Sequence, residues 1–245
     1  MKIRSNNIIF LLIIDYIILT YGYSFSLGFY TINSFYLVAL SFILLLGIQK
    51  LSQLIQVKIS DETLNLSFYL ASAVMVTTSL LMYGGIYQRK DSLYQTSIFL
   101  IFITLILNLS LIFVKKNVSL NKIFIFIVTI AAILRLFMII SSPNPKIDVF
   151  DTLLLGSKGL LNGHNPYTTT YTKLYPDVNP DYFGYLPGIL ILSIPFTVIL
   201  GDPRFLFVFA ELSTAVIIYI ILKKALTKKI DKLALYIPIL YLFSP

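Results

Sequence analysis

Cysteine and tryptophan are absent from this chain, and histidine occurs once. Without cysteine there can be no disulfide and no thiolate metal site. The single imidazole, His164, cannot build an all-histidine metal centre within the chain. Charge is scarce as well. Only 12% of residues are Asp, Glu, Lys or Arg, against about 25% in an ordinary soluble domain. Proline is missing before Pro143, whereas eight of the ten prolines fall between Pro143 and Pro203. Proline removes a backbone donor and breaks or kinks helices. The N-terminal part is therefore expected to hold uninterrupted helices, followed by a region with a shaped backbone.

What the chain does have is apolar length. Of its 245 residues, 58% are hydrophobic, and the mean hydropathy is +0.87. A water-soluble globule is excluded. Runs of about 17 to 25 apolar residues suit helices that cross a bilayer, and they lack the alternation of barrel strands. The expected fold class is all-α: a polytopic transmembrane helical bundle of about seven to eight spans in the cell membrane. Spans are expected at 7–23, 29–49, 64–83, 95–114, 122–141, 186–200, 205–222 and 233–244, with Pro187 and Pro195 making the sixth short and bent. The N-terminus resembles a signal peptide, but Asp15 interrupts the stretch and no small-residue cleavage site follows, so it is read as a retained first span.

The formal charge of +8 would suggest a nucleic-acid partner in a soluble protein. Here the lysines flank apolar runs, where they snorkel and set orientation. Membrane lipid is the expected partner and nucleic acid is not. If all eight runs cross, eight Lys/Arg lie on the N-terminal side and ten on the other, a division too even for the positive-inside rule to resolve.

Three units follow: a five-helix bundle over 1–141, a polar loop over 142–185 that holds the expected active site, and C-terminal helices over 186–245. The loop carries seven charges and five tyrosines. From Ile147 to Leu161 its residues follow a helical period. Asp148, Asp151, Thr152, Lys158 and Gly159 share one side, and Val149, Phe150, Leu153, Leu154, Leu160 and Leu161 the other. This predicts an amphipathic helix in the membrane interface, greasy face down. A carboxylate there is partly desolvated and can accept a proton from an attacking hydroxyl, although acids on such a face are often merely solvated. Gly163 suits the helix end, and Asn165 before Pro166 favours a turn. His164 stands in this turn as a lone loop histidine, which is more often incidental than functional. Tyr167, Tyr171, Tyr175, Tyr182 and Tyr185 suit either sugar stacking or an interfacial aromatic belt. Asp15, Arg135 and Glu211 fall inside spans, where a charge at the centre costs about 2.5–3.5 kcal/mol on insertion scales. They should face the bundle interior, with Arg135 pairing to another helix or reaching a lipid phosphate.

Asp148-Val-Phe, then Gly163-His-Asn-Pro-Tyr167, Tyr182-Phe-Gly-Tyr-Leu-Pro-Gly188 and Gly201-Asp-Pro-Arg-Phe205 occur in that order. The succession resembles the GT-C superfamily of integral membrane glycosyltransferases, mannosyltransferase-like enzymes that use polyprenyl-phosphate-linked sugars. The resemblance covers residues 133–245. It implies an external active site with Asp148 as catalytic base and Asp151 in reserve. It also implies a lipid-phosphate-linked sugar as donor and a sugar, lipid or protein as acceptor. Arg135, Lys158, Lys173 or Arg204 would steady the departing phosphate. His164, Asn165, Tyr167, Tyr182 and Tyr185 would line the substrate site. No metal site is expected, although Asp148 and Asp151 together offer two oxygens to a hard divalent cation. Relatives typically place one helix before the catalytic loop and several more after it. Five precede it here and the sequence stops at Pro245, so the expectation is a truncated or split protein, with a second membrane subunit as the other half. Two other functions remain open: a non-catalytic membrane subunit, and a small-molecule transporter using Asp15, Arg135 and Glu211.

Overall fold

The computed structural model describes residues 2–26, 30–55, 59–82, 103, 119–145, 147–171, 180–225 and 233–243. Every regular element among them is helical: α1 Lys2–Ser26, α2 Ile32–Leu54, α3 Asp61–Met82, α4 Leu120–Ser141, α5 Asp148–Leu161, α6 Pro187–Leu200, α7 Arg204–Ala225 and α8 Leu233–Phe243. Within α1, residues Asn6–Ser26 are long and apolar enough to cross a membrane, as are α2, α4 and α7. The span expected at 95–114 lies outside the described residues, as do Lys173 and Tyr175.

Helices α1 and α2 form a hairpin, and several of their polar groups pair inside an apolar surround. Asp15 is buried and accepts a hydrogen bond from the Ser41 hydroxyl at 2.8 Å. The Asn7 amide donates to the Ile55 carbonyl at 3.3 Å, and Asn6 donates to Asp61 at 2.8 Å. These contacts tie the start of α1 to the end of α2 and the start of α3. A buried polar group left unpaired costs far more than its hydrogen bond gains, so the pairing specifies the register.

Helix α8 is apolar on nearly every side, and a helix of that kind must be enclosed. Ala234, Leu235, Tyr236, Ile239, Leu240, Leu242 and Phe243 are all buried. Tyr236 stacks on Phe68 with centroids 4.7 Å apart and donates to Asn65 at 3.1 Å. Tyr16 of α1 donates to the Leu240 carbonyl at 3.3 Å. The α8 helix is thus the post around which α1, α3, α4 and α7 pack.

Helices α4 and α7 run antiparallel, as four contacts along their length establish. Lys223 donates to Asn121 at 2.6 Å, and Phe124 stacks on Tyr219 at 3.9 Å and 8°. Arg135 pairs with Glu211, and Arg204 donates to the Ile139 carbonyl at 3.4 Å. The C-terminal end of α4 therefore meets the start of α7. The chain between them departs from and returns to one end of the bundle, so α6 does not carry it across. This corrects the expectation that 186–200 is a span. The physical reason is connectivity, since both neighbours of α6 meet at one end; at 14 residues it is also, like α8 at 11, shorter than the four helices long enough to cross.

Candidate functional site

The excursion between α4 and α7 folds around a small buried cluster. Leu153, Tyr171, Phe183 and Leu190 pack together, joining α5, the loop and α6. Gly156 lets the two helices approach: a Cβ there would lie 3.1 Å from both Leu190 and the Tyr171 hydroxyl. At the next residue, the Ser157 hydroxyl bonds with that of Ser193 across the contact at 2.7 Å. Helix α5 forms where its period predicts, but one residue of its expected polar side, Thr152, is not where the period places it. Thr152, Leu153, Gly156 and Ser157 are buried, while Val149, Leu155, Leu160 and Leu161 are exposed. Thr152, placed on the wet side by periodicity, is inside. Its hydroxyl donates to the Asp148 carbonyl at 2.8 Å. Small residues dock α5 on α6, a preference that a hydrophobic period does not register.

The Gly163-His-Asn-Pro-Tyr167 stretch is a turn built of backbone bonds. Gly163 has φ +79°, and its N–H reaches the Leu160 carbonyl at 3.1 Å. The His164 N–H reaches Gly159 at 2.9 Å, completing a Schellman stop. Asn165 accepts the Tyr167 N–H at 3.0 Å. The Pro166 carbonyl receives the Phe183 N–H at 3.1 Å and the Tyr171 hydroxyl at 3.2 Å. Tyr167 donates to the Tyr185 carbonyl at 2.9 Å. Tyr167 and Tyr185 both meet Phe183 edge-on. Asn165 and Tyr167 therefore shape the loop, whereas Tyr182, His164 and Lys158 are exposed.

The carboxylates sit in the first turn of α5, where the helix dipole favours negative charge. Asp148 accepts the Val149 N–H at 2.9 Å. Burial, and then the neighbouring Asp148, hold the Asp151 carboxyl above its usual range. Burial and Asp148 likewise raise Tyr185, which places Tyr185 within electrostatic reach of Asp148. Lys158 and His164 lie at the far end of the helix, about 15 Å along its axis from Asp148. The structure thus groups Asp148, Asp151 and Tyr185, and separates Lys158 and His164 from them.

The two arginines are engaged elsewhere. Arg135 forks onto both oxygens of Glu211 and also donates to the Leu242 carbonyl and, at 3.1 Å, to Ala131. Arg204 binds Asp202 at 2.6 Å and lies over the Phe150 ring, 4.8 Å from its centroid. Periodicity did not reveal this clasp between α4, α5 and α7, but Gly201-Asp-Pro-Arg204 contains its signal. Gly201 ends α6 with φ +76°. Asp202 accepts the Arg204 N–H at 2.8 Å, as a helix-capping acid does before proline.

Because ionising Asp151 is disfavoured in the folded chain, its contribution to stability is fully present below 3.8 and is lost as pH rises through the raised folded value. Asp151→Asn is therefore expected to melt higher than the parent at about pH 7 and level with it at about pH 3. Melting curves in detergent at the two pH values check this, and a variant less stable at the higher pH contradicts it.

No protein-family model matches the chain, and no curated protein and no solved structure matches it.

Proposed function

We propose that the chain is a multi-pass membrane glycosyltransferase. It moves a sugar from a polyprenyl-phosphate-linked donor to an acceptor on the outer face of the cell membrane, with Asp148 as general base. One observation carries this reading. Asp148 and Asp151 open α5 at the end of the α4–α7 pair to which the whole excursion is confined. Arg204 lies at that end, whereas Lys122, Lys223 and Lys224 lie at the other. The lysine-rich end then faces the cytoplasm by the positive-inside rule, and the carboxylates face outward.

The bare apolar side chains of α5 and α6, among them Leu160, Leu161, Leu192 and Ile199, suit a helix pair lying in the outer interface. There the carboxylates meet both lipid-linked donor and water. The acceptor hydroxyl gives its proton to Asp148, and its oxygen attacks the anomeric carbon. The bond from that carbon to the phosphate oxygen breaks, and lipid phosphate leaves with the electron pair, inverting the centre. Asp151, with its raised proton affinity, donates a hydrogen bond when protonated and so orients the sugar or Asp148. Tyr182 and Tyr185 offer ring faces to the sugar, whereas Lys158, at the far end of α5, is too distant from Asp148 to meet the departing phosphate. A divalent cation, if used, would sit on the two carboxylates. Transport gains little from Arg135 and Glu211, whose charges neutralise each other.

The cysteine-free sequence makes the geometry directly testable. Asp181→Cys, in the loop, is expected to react with a membrane-impermeant maleimide on intact cells. Lys122→Cys is expected to react only after permeabilisation. The opposite pattern removes the external site, and sugar transfer with it.

A further inference from the structure

A second site lies at the other end of the same helix pair. Between the start of α4 and the end of α7 runs an open groove of about 640 Å³, within the size range of small-molecule sites. Its floor is apolar, from Phe124, Val128 and Val216. Its mouth is basic, with Lys223 and Lys224 on one lip and Asn121 on the other. The floor extends from Asn121 to Thr129, about 12 Å along α4.

The mouth is organised rather than merely charged. Lysines that only snorkel extend away from the helix into water. Lys223 instead turns across the groove. Its ammonium donates to Asn121 Oδ1 at 2.6 Å and sits 5.9 Å from the centre of the Tyr219 ring. The Tyr219 hydroxyl donates to the same oxygen, also at 2.6 Å, and the Tyr219 ring stacks on Phe124. The head of Lys223 is thereby held over the apolar floor with two N–H donors to spare. Lys224 is exposed beside it. Fixed cations above an oily slot complement a ligand with an anionic head and a hydrocarbon tail.

We propose that this groove binds one anionic phospholipid of the leaflet at the lysine-rich end, phosphate on Lys223 and Lys224 and acyl chain between α4 and α7. Charge complementarity selects the occupant: a zwitterionic lipid would bring its own cation against the two lysines, and a soluble phosphate would leave the floor uncovered. The inference rests on α4 and α7 lying in a bilayer and is independent of sugar transfer at the opposite end.

The test is native mass spectrometry of the full chain released from nanodiscs made of equal parts phosphatidylglycerol and phosphatidylcholine. One phosphatidylglycerol is expected to be retained, in roughly tenfold preference over phosphatidylcholine. Lys223→Gln combined with Lys224→Gln is expected to abolish the preference. Ile125→Trp, which fills the groove and keeps both lysines, is expected to abolish retention. Unchanged helix content by circular dichroism establishes that each variant is folded. Equal retention of the two lipids, retention of neither, or a preference that survives either variant overturns the proposal.

Discussion

Asp148→Asn is expected to lower sugar transfer in membranes by about 10²- to 10⁴-fold, the usual contribution of a positioned general base. The amount of protein in the membrane is expected to stay the same. Asparagine can still accept the Val149 N–H that Asp148 accepts, so the helix start is preserved while proton acceptance is lost. Asp148→Ala removes both functions and should be equally inactive and slightly less stable, since an acid at a helix start contributes about 0.3–1 kcal/mol. That pairing separates the chemical role from the structural one. A capping acid alone would show the stability change with no loss of transfer. Measurement uses a labelled polyprenyl-phosphate sugar and isolated membranes. Unchanged transfer by both variants rejects the assignment. Transfer that appears only when a second polypeptide is supplied would make this chain one subunit of the enzyme.

Glu211→Ala is expected to cost about 1–3 kcal/mol, below the roughly 3–5 kcal/mol of a fully buried pair because Glu211 is 30% exposed, since its removal strands the other charge. Here the stranded group is Arg135, whose side chain is 15% exposed. Its guanidinium also holds the Leu242 carbonyl near the end of α8, so three helices loosen together. Arg135→Met combined with Glu211→Met should recover much of the loss, since matched apolar replacements of buried pairs are often neutral. Thermal melting in detergent gives the comparison. A single variant that melts with the parent would mean that the pair lies in water rather than in the bundle.

Much of the fold was legible in composition and periodicity. Uninterrupted apolar runs admit one economical solution in lipid, the helix, and the starts and stops of α2, α4, α5 and α7 fell within a few residues of the pattern. Gly163 and Asn165 announced their turn because few residues tolerate a left-handed backbone or an Asx bond before proline. What α5 packs against was not legible. Hydropathy put Leu160 and Leu161 on the lipid side, but it did not show that Gly156 and Ser157 let α6 approach closely. Arg204 was equally hidden: its charge was visible, but its partners Ile139 and Phe150 lie 65 and 54 positions away.

The sequence by itself determined that this protein is an oily assembly of helices with one water-loving interruption, since apolar length and missing charge are properties of the chain alone. Only the tertiary structure decided which ends of those helices lie together. The antiparallel register of α4 and α7 keeps α6 on one side and gathers the lysines of both helices at the other. Hydropathy counts segments without fixing direction, and a segment too short to cross is recognised only when its neighbours show where the chain returns.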